Sequence, residues 1–221
     1  ATICNGSIQQ LSLTNTLGNA DLIHEGFDVA VPLPAGWSEK NNSSPLGAAV
    51  FFQGNDGVFA AHSGAPTSYI GINYQSTTGA GTISNWLLSP TINIKNGDVF
   101  SFWTRTTDGA TYADRLEVRL STSGASVNVG ATATSVGDFT TVLLTVNPTL
   151  ISRPSGYPDT WTQYTATISG LPAPTTGKIG FRYYVTNGGP SGSNSDYIGI
   201  DDVVYTTTGG PAAGVWTSTA T

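Results

Sequence analysis

Four carboxylates, Glu25, Asp28, Asp201 and Asp202, stand toward the two ends of a 221-residue chain and make its most suggestive chemical set. Calcium takes about six to eight oxygen ligands from carboxylates, carbonyls and water, and these residues offer hard oxygens and negative charge. One structural calcium ion would serve all four if the chain ends lie side by side. Asp201 and Asp202 are adjacent, so in a strand they point to opposite faces and one is directed at the core or its rim. A buried carboxylate needs a partner, and the alternative to a metal is a set of backbone amides or an arginine such as Arg182.

Other constellations carry less. His24 and His62 are the only histidines and Cys4 the only cysteine, so neither a zinc site built from protein ligands nor an internal disulfide is available. His62 and Ser63 are neighbours, but adjacent residues on a strand point apart and nucleophile–base pairs are assembled by geometry. Asp114 and Glu117 are three residues apart and would lie on opposite faces of a strand, which suits an ion pair of Glu117 with Arg115, Arg119 or Arg105 better than paired acid–base work. Gly79-Ala80-Gly81 does not open a helix after a strand and is no phosphate cradle. No catalytic residue is expected.

Five tryptophans raise the question of stacking on a sugar face. Trp37 and Trp86 read as core. Trp103, Tyr112, Tyr157 and Trp161 lie on or near loops and are the candidate ligand-binding aromatics. The loops are Thr107–Ala113, Arg153–Asp159 and Asn187–Asp196, the segments free to vary while strands carry the core.

The elements that must position these residues are strands. Charged residues make up only 10% of the chain, while 27 glycines and 12 prolines punctuate runs rich in Val, Ile, Thr and aromatics. Leu116, Val118 and Leu120 alternate with Arg115, Glu117 and Arg119, the period of a strand with one buried and one wet face. Similar runs cover Ser68–Tyr74, Trp86–Ile94, Asp98–Thr106, Thr140–Asn147, Trp161–Ser169, Lys178–Thr186 and Tyr197–Tyr205. With no helical pattern between them, these segments predict an all-β fold of two antiparallel sheets packed face to face, with almost no helix. The expected boundaries are a leader or edge strand over 1–21, one sandwich domain over 22–206, and a flexible tail of linker composition over 207–221.

A formal charge of −6 with eight scattered basic residues leaves no stripe to neutralise phosphates, so nucleic acid is not an expected partner. No apolar run reaches the roughly 20 residues that span a bilayer, and residues 1–20 do not read as a secretory signal, so an exported chain would have lost its signal already.

Several segments resemble the choice-of-anchor J family, which is similar to cleaved-adhesin modules and, more distantly, to MAM domains. They are Glu-Gly-Phe-Asp (25–28), Leu-Pro-Ala-Gly-Trp (33–37), His-Ser-Gly (62–64), Ser-Tyr-Ile-Gly (68–71) and Asn-Trp-Leu-Leu-Ser-Pro (85–90). Ala-Asp-Arg-Leu-Glu-Val (113–118), Gly-Phe-Arg-Tyr (180–183) and Tyr-Ile-Gly-Ile-Asp-Asp-Val (197–203) follow in order. The resemblance implies a jelly-roll sandwich of galactose-binding-like type, export, and often a structural calcium ion. The functional expectation is a monomeric, non-catalytic adhesion module, secreted or at the cell surface, whose partner is an extracellular glycan or protein. A glycan-active enzyme and a purely structural spacer are the competing readings.

Overall fold

The computed structural model describes residues 11–14, 17–152, 154–211 and 215–218. Cys4 and most of the expected leader lie outside these residues, as does Arg153.

The strands in chain order are β1 (Leu11–Thr14), β2 (Leu17–Glu25), β3 (Ser38–Asn41), β4 (Ser44–Leu46), β5 (Phe52–Gln53), β6 (Ile70–Asn73), β7 (Thr77–Leu88) and β8 (Ile92–Ile94). They continue with β9 (Val99–Thr106), β10 (Leu116–Ser121), β11 (Thr141–Val146), β12 (Thr162–Thr167), β13 (Thr175–Gly188), β14 (Tyr197–Pro211) and β15 (Val215–Ser218). A single 3-10 turn, Tyr74–Ser76, is the helical content of the described residues, and none of their helices is long and apolar enough to cross a membrane.

Two antiparallel sheets carry the fold. One runs β11-β10-β13-β7-β3, with β4 added on β7 and β8 on β13; the other runs β12-β9-β14-β6-β5, with β2 added on β14. β1 and β15 form a separate pair. The alternation that makes strands also makes the core. In β9, Phe100, Phe102, Thr104 and Thr106 are buried while Val99, Ser101, Trp103 and Arg105 are half-exposed. Phe102 meets Phe181 of β13 across the sandwich, ring centroids 5.0 Å apart at 82°. Ile198, Ile200, Tyr183 and Leu87 close round them without solvent contact. Each such side chain contributes about 1.5–3 kcal/mol through removal of apolar surface from water.

β14 organises the second sheet. Along one edge it pairs first with β6, through Tyr197–Ile200, and then with β2, from Val203 to Pro211. Between these partners the ladder is irregular. The expected domain end at residue 206 falls inside this strand, which continues to Pro211 opposite Leu17.

Glu117 was expected on a wet face and is 9% exposed. The reason is tertiary: the segment between β10 and β11 folds back over the outer face of its sheet, where Val129 and Phe139 pack on Trp86 and Leu88. Arg182 fastens it, donating to Ala133 O at 2.5 Å, to Glu117 Oε2 at 3.1 Å and to Ser84 Oγ at 3.0 Å. Glu117 therefore pairs with Arg119 and Arg182, and its carboxyl is held below the usual range despite burial.

Candidate functional site

Asp201 and Asp202 sit where β14 passes from β6 to β2, at a register shift, with no strand beside them on that edge. Asp202 has φ +45°, a left-handed conformation that side chains seldom adopt. The consequence departs from the alternation expected of a strand, because both carboxylates meet the same loop. Asp201, fully buried, accepts from the backbone N–H of His62 (2.9 Å), Ser63 (3.2 Å) and Asp202 (2.7 Å). Asp202 accepts from Ser63 Oγ at 2.8 Å and lies 2.6 Å from His62 Nδ1. Burial, with Asp202 beside it, pushes the Asp201 carboxyl up to about 6 despite those amides. Arg182 is engaged elsewhere, so of the two partners expected in place of a metal the backbone amides are the ones found.

The beginning of the chain arrives at the same place. Glu25 ends β2 opposite Val203 and accepts from the Phe27 N–H at 2.8 Å. A Cβ placed on Gly26 would stand 3.6 Å from Asp202 Oδ1, and one on Gly64 would press to 2.9 Å from Asp28 Oδ1. Gly64 adopts φ +76°, so this turn needs glycine on both counts. Of the predicted metal set, Asp201 and Asp202 converge directly and Glu25 and Asp28 flank them. His62, Asp201 and Asp202 have ligand atoms within 4.8 Å of one another. Glu25 and Asp28 are not part of that converging group, and Asp201 already accepts three N–H bonds and suits the role of holding the loop.

His62 and Ser63 do not form a nucleophile–base pair. Ser63 donates to Asp202 and not to the imidazole, whose ring stacks on Trp103 at 3.7 Å.

A second site lies at the start of β14, six residues from Asp202 and so about 20 Å along the strand. Here Tyr74, Tyr112, Pro190, Ser195 and Asp196, with two loop glycines, enclose a depression of about 310 Å³. Tyr74 and Tyr112 are exposed. Asp196 is locked in place: its carbonyl accepts from Tyr74 N–H at 2.8 Å, its N–H donates to Asp114 Oδ1 at 2.8 Å, and Thr107 Oγ1 donates to its Oδ2 at 3.2 Å. Burial raises its carboxyl pKa. Two of the three expected ligand loops, Thr107–Ala113 and Asn187–Asp196, meet at this depression.

No family model matches the sequence, and no curated protein does. Solved structures do match. The K1 cleaved adhesin domain of Lys-gingipain from Porphyromonas gingivalis W83 superposes with a TM-score of 0.57 at 22% identity, covering 85% of this chain and 98% of that one. The K3 domain of the same protein gives 0.54 at 20%, covering 85% and 100%. This chain shares the fold of a cleaved adhesin domain. The likeness to cleaved adhesins bears on architecture alone.

Of the expected ligand aromatics, only Tyr112 reaches an open depression. Tyr157 is a correction: it is 3% exposed, belongs to the core, and its hydroxyl meets Thr104 Oγ1 at 2.6 Å. Its side chain turns inward from a loop whose Pro154 and Ser155 are exposed, and burial pushes its hydroxyl well above the ordinary tyrosine range. Trp161 is half-buried against Phe59 and Tyr69 and donates to Ala60 O at 2.9 Å, while Trp103 is covered by His62. Tyr74 and Asp196 escaped the sequence reading. Asp196 lay within an expected ligand loop, but nothing in the local pattern marks its carboxylate as fixed.

Proposed function

We propose that this chain is a non-catalytic binding module of a secreted or surface-attached bacterial protein, of choice-of-anchor J type, acting as a monomer on an extracellular glycan or protein. The observation that carries the reading is the depression at the β14 entrance, where two exposed tyrosines flank Asp196, whose backbone is held by two hydrogen bonds and whose carboxylate accepts one more from Thr107. Preorganised groups of this kind bind without a large ordering cost. Ser63 Oγ donates to Asp202 and not to the His62 imidazole, so no serine–histidine pair is assembled in this loop, which supports binding over turnover.

A structural calcium ion belongs to the same proposal, held by Glu25, Asp28 and Asp202 with Asp201 orienting the 62–64 loop. Bound there, it would offset the repulsion of the clustered carboxylates and fasten the beginning of the chain to β14.

A glycan and extracellular-matrix array probed with the whole chain tests the binding reading. Specific binding that Tyr112→Ala abolishes supports it. Turnover in a screen of glycoside, ester and peptide substrates, lost on substitution of a single carboxylate, overturns it.

A further inference from the structure

Most backbone donors in the walls of the Tyr74–Tyr112 depression are engaged within the protein. The N–H groups of Gly189, Ser191, Gly192, Asn194, Ser195 and Asp196 all donate within the protein, and Pro190 has none. The loop amides are each engaged once: Asn187 Nδ2 donates to Ser193 Oγ at 2.6 Å and Asn194 Nδ2 to Thr186 O at 2.9 Å. No Lys, Arg or His lines the depression. What faces a ligand is therefore aromatic surface, the tyrosine hydroxyls, and acceptors.

Negative charge accumulates at the same place without an internal cation. Asp114, fully buried behind Asp196, accepts from Tyr183 Oη, Thr106 Oγ1 and the Asp196 N–H, and forms no ion pair among the described residues. Asp196 forms none either, and its Oδ1 has no partner among the described residues. A ligand rich in donors and carrying positive charge complements such a site; a neutral ligand that also needs donors from the protein finds few. A cation beside tyrosine faces gains further from the ring quadrupoles. The volume of about 310 Å³ suits a ring better than a single extended alkylammonium stem, which would leave most of it to water.

Resting on the reading of this chain as a binding module, we propose that the depression takes a glycan bearing free protonated amino groups, an amino sugar whose ammonium sits on Asp196 and whose ring lies against Tyr74 and Tyr112.

The test is calorimetric titration of the whole chain with three probes: a glucosamine trisaccharide with free amines, the same trisaccharide N-acetylated, and a lysine tripeptide. A pH of about 6.5 leaves a large share of the sugar amines protonated. The free-amine trisaccharide is expected to bind at least about tenfold more tightly than its N-acetylated form, a difference that Asp196→Asn removes and added salt diminishes. Tyr74→Ala, which leaves the carboxylate in place, should weaken the free-amine probe and serves as the second variant if Asp196→Asn melts early. Equal affinity for the two trisaccharides overturns the charge requirement while the binding-module reading stands. Tighter binding of the lysine tripeptide overturns the glycan assignment. Failure of all three probes, with an array ligand still bound through Tyr112, overturns this proposal and leaves the module reading intact.

Discussion

Asp114 Oδ1 accepts the backbone N–H of Asp196 at 2.8 Å, tying the approach to β10 to a residue 82 positions later. The contact holds the loops over 107–113 and 187–196 together, and it makes stability depend on pH. Burial pushes the Asp114 carboxyl up to about 6, above the value near 3.9 that an unfolded aspartate has. Between those values the folded protein keeps a proton that the unfolded chain has lost, so stability rises as pH falls from about 6 to 4. At roughly 1.4 kcal/mol for each pKa unit, the gain from this group is of the order of 3 kcal/mol. Urea melts of wild type and Asp114→Asn across this range should show a smaller gain in the variant, which keeps the share of Asp201, whose carboxyl is pushed up to about 6 as well. A wild-type curve flat or falling on acidification over this window, and parallel in the variant, contradicts the assignment.

Calcium should raise the melting temperature and a chelator lower it. Because the ion binds the folded chain, saturation at a hundredfold excess over Kd adds about 2.7 kcal/mol. Asp202→Ala is expected to erase the dependence. Identical melting in calcium and in chelator removes the ion from the account.

Arg182→Ala should cost about 3–5 kcal/mol, the loss typical of breaking a buried charge pair from one side. The guanidinium lies 3.7 Å from the Tyr184 ring centroid and 5.1 Å from that of Trp86, so packing is lost together with the bonds to Glu117 and Ala133. Hydrogen exchange should quicken first in residues 122–139. Uniform acceleration across both sheets would mean that the arginine does not act on that segment in particular.

Tyr112→Ala and Tyr157→Ala should separate cleanly. The first removes an exposed ring and should leave the unfolding free energy within about 0.5 kcal/mol of wild type while abolishing ligand binding. The second opens a core cavity and should cost about 3–5 kcal/mol. A destabilised Tyr112→Ala would place that ring in the structural core.

Local periodicity made the long strands legible. Val99–Thr106 and Leu116–Ser121 alternate in sequence and form where the alternation puts them. What periodicity cannot show is which outer faces acquire a second cover. Glu117 is buried because a segment that reads as loop, 122–139, lies across it. Tyr157 is buried because its ring turns from a surface loop into the sandwich, where the hydroxyl reaches Thr104. The acidic set was legible as residue types, and the approach of the chain ends followed from the fold class. The meeting of Asp201 and Asp202 on one loop was not legible, since it depends on a left-handed residue at a break between two edge partners.

The pairing of β2 with β14 has a mechanical side. Leu17 faces Pro211 and Glu25 faces Val203, so both outer ends of this ladder lie together. A load pulling these two strands apart from that end acts across their hydrogen bonds one rung at a time, as in opening a zipper, instead of shearing all rungs at once. The rungs nearest Leu17 give way first, and the peeling front reaches the turn at Gly26 and Asp202 last.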